Sequence, residues 1–190
     1  MPSPPKADRE RRRLELTAYR EAGHAVAAIE LRRVIRYVTI VPEVDALGHI
    51  LKTLPPKTLR PDIECDRRAV AWMEREILIG LAGPAAEERF AGRRNHIGVS
   101  SDYRNAIDLA ARMHGNNKVL EKWLDYMAER ARAFIGNPIQ WVRVEDLAAA
   151  LLVTPHIGVS SARVICKEAV QQHERIRAMS QRADAEDDVN

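Results

Sequence analysis

One short β-branched run, Tyr37-Val38-Thr39-Ile40-Val41, interrupts a chain otherwise patterned at helical spacing. Leu14, Ala18, Ala22, Ala25 and Ile29 recur at intervals of three and four, which predicts a helix over residues 8–31. The β-branched run reads as a strand over 37–41, followed by a loop over 42–47 and a returning strand over 49–53 that Pro55 and Pro56 end. A second long helical pattern covers 62–81, where Gly83-Pro84 is expected to break it and leave a short helix over 85–91. After a loop over 92–99, Ser100 or Ser101 can cap a helix that runs to His114. Three more helices are expected over 117–135, 140–152 and 160–179. The expected fold class is therefore α+β, predominantly helical, with one small β-hairpin.

A chain of 190 residues can bury a core without staples, and one domain suffices for it. Residues 1–8 are Pro-rich and read as a disordered tail, and 180–190 as an acidic one. The domain between them spans 9–179, with an N-terminal part to about 115 and a helical C-terminal part from 116. Lys and Arg exceed Asp and Glu by only 30 to 27, too small a surplus to favour nucleic acid as a partner. Arg9, Arg11, Arg12 and Arg13 cluster near the start, and Asp184, Glu186, Asp187 and Asp188 near the end, as solvated helix ends commonly do. Cys65 and Cys166 stand far apart in no metal-type spacing, which suits a reduced, cytoplasmic chain. No apolar stretch is long enough for a secretory leader or a membrane span.

The chemistry concentrates in Thr17-Ala18-Tyr19-Arg20-Glu21-Ala22-Gly23-His24-Ala25-Val26. In a His-Glu-x-x-His helix, two imidazoles four residues apart lie one turn apart on one face and bind one zinc ion. The intervening Glu activates the metal-bound water as a general base. Here Glu21 and His24 hold the second and last places of that pattern, and Arg20 holds the first. Glu-x-x-His alone is a weak signal that many helices carry by chance.

Four further blocks extend it. Tyr37-Val38-Thr39-Ile40-Val41-Pro42 is followed by Ala46-Leu47-Gly48, and Leu81-Ala82-Gly83-Pro84-Ala85-Ala86-Glu87-Glu88 comes next. Ser100-Ser101-Asp102-Tyr103 leads into Ala106, Leu109, Ala110 and Met113, and Trp141, Val144, Leu147, Ala148, Leu151 and Leu152 close the series. Taken in this order over roughly residues 14–170, the blocks resemble the peptidase domain of FtsH-type, membrane AAA zinc proteases. The resemblance implies a zincin-like fold in which the hairpin edges the substrate cleft. It also implies zinc held by position 20, His24 and Asp102, with Glu21 as catalytic base. The family's members assemble as rings and feed the peptidase from an ATP-driven module, so a polypeptide substrate and a homo-oligomer are implied too.

The sequence departs from that pattern twice. It contains no Gly-x-x-x-x-Gly-Lys-Ser/Thr loop, so no ATP binding of the family's kind is expected and the domain reads as stand-alone. And a guanidinium, always protonated and a donor only, cannot ligate zinc. Glu21 is thus either a base or the partner of Arg20. His24 is either a zinc ligand or a buried remnant, and Asp102 either a ligand or a helix-terminal carboxylate. The leading expectation is a zinc-poor or inactive pseudopeptidase. The first alternative is an ATP-independent zinc endopeptidase that recruits His49 or His96 as a substitute ligand. The second is a regulatory or partner-binding module, docking on an ATPase in trans or on a ring-forming relative. Glu87 and Glu88 read as supports of the site or as exposed helix carboxylates. His114, His156 and His173 read as ordinary helix-end or surface residues, and Trp123 and Trp141 as packing residues.

Overall fold

The computed structural model describes residues 5–42, 48–52, 66–93, 100–114 and 117–187. Six helices and three short strands follow in the order α1 (Lys6–Glu30), β1 (Ile35–Thr39), β2 (His49–Lys52), α2 (Arg67–Ala91), α3 (Ser100–His114), α4 (Lys118–Gly136), α5 (Pro138–Val153), β3 (His156–Gly158) and α6 (Val159–Asp187). The class is the expected helix-dominant α+β.

Two helices make the centre. The first half of α1 is charged and exposed, whereas Thr17 to Ala28 are buried almost without interruption. A helix that is small and apolar all round belongs inside a core, and α1 is enclosed by α2 on one side and α5 on another. The approach to α2 is close enough to require glycine. A Cβ on Gly23 would lie 2.6 Å from Ala86 Cβ and 2.7 Å from the Ala82 carbonyl oxygen, well inside the contact distance of roughly 3.5 Å. At the far end Arg32 turns the chain with a φ of 56° and the Arg33 N–H donates to the Ala28 carbonyl, delivering the backbone into β1.

The expected break at Gly83-Pro84 does not occur. Helix α2 runs unbroken from its Asp66 cap, whose carboxylate accepts from the Ala69 N–H at 2.7 Å, to Gly92, which closes it at φ 69°. Pro84 lacks an N–H and deprives one upstream carbonyl of its helical donor, a cost normally of about 3 kcal/mol in a helix interior. Burial of the segment around it, with Leu81, Ala82, Gly83, Ala85 and Ala86 all in the core, holds the helix together across the gap. The expected start of this helix, over 62–65, lies outside the described residues.

The strands form one antiparallel sheet in the order β2-β1-β3. Val38 faces Ile50 across one ladder and Ile157 across the other. The expected hairpin is present, with β1 two residues earlier than the β-branched run suggested. The third strand was not expected. It lies where α5 ends, and Ile40 N–H and the Thr39 hydroxyl both donate to the Pro155 carbonyl at 2.9 Å. His156 is accordingly a surface residue, as one of its two expected readings had it, and sits on an edge strand; its ring lies 4.5 Å from that of Tyr37.

Two boundaries also shift. Helix α1 begins at Lys6, inside the segment expected as a tail, and α6 continues to Asp187, through most of the expected acidic tail. Asn137 ends α4 and caps α5, accepting from the Ile139 N–H at 2.9 Å. Tyr19 stacks on Phe90 at 3.8 Å and on Trp141 at 5.7 Å, so Trp141 ties α5 to the signature helix as a packing residue. Trp123 is likewise half-buried against the core, beside His114.

Candidate active site

Three elements converge on the signature face of α1. One turn separates Arg20 from His24, so both look the same way. Glu21 is 2% exposed and His24 7%. The Arg20 guanidinium donates twice to one oxygen of Glu21, from Nε at 3.2 Å and from Nη2 at 3.1 Å. From α3, Asp102 places Oδ2 3.4 Å from His24 Nε2. From α2, the Ile79 carbonyl accepts the His24 Nδ1–H at 2.8 Å.

Gly83 now acquires a reason. A Cβ there would lie 2.2 Å from His24 Nε2 and 2.3 to 2.5 Å from two ring carbons. The glycine leaves room for the imidazole to lie directly on the α2 backbone. One turn on, Glu87 is buried on the same helix, while its neighbour Glu88 is only half-buried and pairs with Arg132 of α4 at 3.3 Å. Of the two carboxylates singled out in the sequence, Glu87 belongs to this cluster and Glu88 to the α2–α4 contact.

The strand β2 opens onto the same place. A Cβ at Gly48 would come within 3.0 Å of both Glu21 Cγ and Thr17 Cγ2. The hairpin therefore borders the signature helix, and His49 follows immediately as the first residue of β2. His96 lies outside the described residues. His114 contacts Trp123, His156 contacts Tyr37, and His173 is half-buried along α6.

The electrostatics follow from burial and pairing. Burial raises the Glu21 pKa above the usual carboxylate range, and His24 and Arg20 hold it back. For His24 burial works against the charged form, but Asp102, then Glu21 and the Ile79 carbonyl, outweigh it and raise its pKa. Burial likewise opposes the charge on Arg20, and the carboxylates of Glu21, Asp102 and Glu87 more than offset it.

A catalytic zinc needs three protein donors and an open fourth position. His24 and Asp102 retain the spacing of two such donors, since ligands at about 2.1 Å on a tetrahedral ion lie roughly 3.4 Å apart. Among the described residues no third donor joins them. Position 20 carries a guanidinium, and that guanidinium occupies the oxygen of Glu21. Among the described residues no group of three His, Cys, Asp or Glu side chains is arranged to hold a metal. The donor set in view does not fit a catalytic zinc ion.

A buried Glu-x-x-His helix, an aspartate delivered from a later helix and a hairpin against the signature helix are the features of the zincin-like peptidase class. Comparison with known proteins narrows this: the model of peptidase family M41 matches residues 7–137, and the chain belongs to that family. Similar proteins include the ATP-dependent zinc metalloproteases FtsH of Syntrophus aciditrophicus, 34% identical over 135 residues and 70% of this chain, and of Caulobacter vibrioides, 38% identical over 104 residues and 52% of this chain. The human ATP-dependent zinc metalloprotease YME1L1 is 33% identical over 102 residues, again 52% of this chain. The matches cover 17%, 15% and 12% of those proteins, so the chain corresponds to a small part of each. No helix among the described residues is long and apolar enough to cross a membrane.

Proposed function

We propose that this domain is a metallopeptidase-like member of family M41 that holds extended polypeptide without hydrolysing it, a zinc-poor pseudopeptidase. The observation that carries the reading is the double hydrogen bond from Arg20 to Glu21. General-base catalysis needs a carboxylate free to take a proton from an activated water, and the guanidinium both engages one oxygen of that carboxylate and stands where a metal ligand is expected. What survives is the means of holding a chain. The strand β2 is an edge of the sheet and begins beside Glu21, so an extended polypeptide can add to it by backbone hydrogen bonds along the signature helix. Such a domain would act in the cytoplasm, on unfolded polypeptide or as a regulatory partner of a ring-forming relative or an ATPase.

The test is the metal content and proteolytic activity of the purified protein beside an Arg20→His variant. The expected wild type carries no stoichiometric zinc and leaves unfolded casein intact, while the variant takes up one zinc per chain. Cleavage by the wild type that disappears in Glu21→Gln would refute the reading.

A second reading, an active zinc peptidase with a substitute ligand, draws on one observation: His49 directly follows Gly48, which abuts Glu21. It requires stoichiometric zinc in the wild type and its loss in His49→Ala. His96→Ala serves as the parallel test for the loop before α3.

A further inference from the structure

The site gathers acidic side chains from three helices into one poorly hydrated place. Glu21 of α1 and Glu87 of α2 are 2% and 4% exposed, and the Asp102 side chain of α3 is 19% exposed. Such a set of carboxylates is stable only when positive charge is buried with it. In a zinc enzyme the metal supplies that charge. Here position 20 does so: its side chain is itself 13% exposed, forks onto Glu21, and lies in the field of Asp102 and Glu87.

We infer that Arg20 is the resident cation of this site, a covalently attached guanidinium that joins α1, α2 and α3 at the place where the resemblance to the family puts a metal. The inference rests on the reading that the site is not a working zinc centre, and it adds a positive role for the residue that displaced the metal. Arg20 then does two separable things. It silences Glu21, and it makes the fold independent of metal supply. A guanidinium suits the second task better than an ammonium, because its planar fork donates several hydrogen bonds in fixed directions and is the more weakly hydrated cation. His24 adds to that charge when protonated, but its ring is held between the Ile79 carbonyl and Asp102, and the fork onto Glu21 comes from Arg20.

The experiment compares thermal unfolding of the full chain as wild type, Arg20→Met, Arg20→Lys and the pair Arg20→Met with Glu21→Gln, each with chelator and with added zinc. Methionine keeps an unbranched apolar stem and removes the charge. The wild type is expected to melt at the same temperature with either addition. Arg20→Met should melt roughly 10 °C lower, the effect of breaking a buried ion pair in a domain of this size. Glu21→Gln should restore more than half of that loss in the Arg20→Met background while gaining little alone, because it removes the carboxylate the cation served. Arg20→Lys should fall between. If Arg20→Met melts within about 2 °C of the wild type, or if the two substitutions are simply additive, the inference is overturned. Should Arg20→Met fail to fold, recovery of the folded state in the double variant carries the test, and failure of both counts against it. A wild type that melts lower in chelator and cleaves casein would instead overturn the non-hydrolysing reading. A chelator-insensitive, inactive wild type with a neutral Arg20→Met overturns the resident-cation role alone.

Discussion

Replacing Gly83 by alanine separates two effects that usually travel together. In an ordinary helix interior the exchange is favourable by roughly 0.8–1.0 kcal/mol, because alanine gives up less conformational freedom. At Gly83 the new methyl would sit 2.2 Å from His24 Nε2 and 2.3 and 2.5 Å from its neighbours in the ring, against an optimum of about 3.5 Å or more. The ring must therefore retreat by more than about 1 Å. It cannot do so cheaply, since Nδ1–H is bonded to the Ile79 carbonyl at 2.8 Å and Nε2 faces Asp102 at 3.4 Å. Overpacking costs about 1–3 kcal/mol and a broken buried hydrogen bond about as much again. Less the propensity gain, Gly83→Ala should destabilise by about 2–4 kcal/mol, a drop of roughly 5–15 °C in Tm for a domain of this size. Gly80→Ala is the control on the same helix. Among the described residues nothing lies within 4 Å of a Cβ there, so it should gain up to about 1 kcal/mol. Chemical denaturation followed by circular dichroism measures both. Equal midpoints for the two variants would show that the imidazole does not press on the α2 backbone, and the argument about Gly83 would fall. A His24→Ala background should turn Gly83→Ala from costly to favourable by up to about 1 kcal/mol, since the clash has lost its partner and the propensity gain remains.

Other outcomes follow from local geometry. Asn137→Ala removes the side-chain acceptor from the first turn of α5 and should cost about 1 kcal/mol, or about 2–4 °C in Tm. Gly92 closes α2 at φ 69° with open space around it, so Gly92→Ala should cost about 1–2 kcal/mol from backbone strain alone, read by the same denaturation midpoint. The Cys166 thiol is pushed up to about 11, chiefly by burial and partly by Asp146, with Arg143 opposing. An unfolded thiol ionises first as pH rises, so between the unfolded value near 9.0 and about 11 the unfolded state binds fewer protons and stability must fall. Cys166→Ala should therefore lose less stability than the wild type between pH 9 and about 11. In a Cys65→Ser background, alkylation of Cys166 at pH 8 should be slow until the chain is unfolded.

Period and spacing made the long elements legible. The apolar repeat at three and four placed α1, α3, α4 and α5 within a few residues, and the β-branched run placed β1 beside a returning strand. What failed were rules that see only the local chain. Gly83-Pro84 reads as a stop because neither residue favours a helix, yet the pair sits in a helix that α1 encloses. The reason for the glycine is an imidazole 59 positions away in the sequence, which no local pattern can register. The strand β3 failed similarly. Three residues, His156-Ile157-Gly158, carry no period, and their pairing is decided by β1, whose last residue Thr39 and the Ile40 that follows it both donate to the Pro155 carbonyl.

The site was legible in its parts and not in its connections. The spacing of positions 20 and 24 predicts one helix face, and the resemblance to FtsH-type peptidases supplies Asp102, whose side chain does meet His24. Nothing in the sequence tells whether Arg20 turns toward solvent or toward Glu21, because an arginine on a half-exposed face satisfies either rule. Burial decides. Glu21 is 2% exposed, and among the described residues the guanidinium finds the carboxylates that offset its own desolvation in Glu21, Asp102 and Glu87. On the proposed reading, the arginine that stands at the first ligand position also supplies a charge with which the carboxylates of Glu21, Asp102 and Glu87 can stay buried.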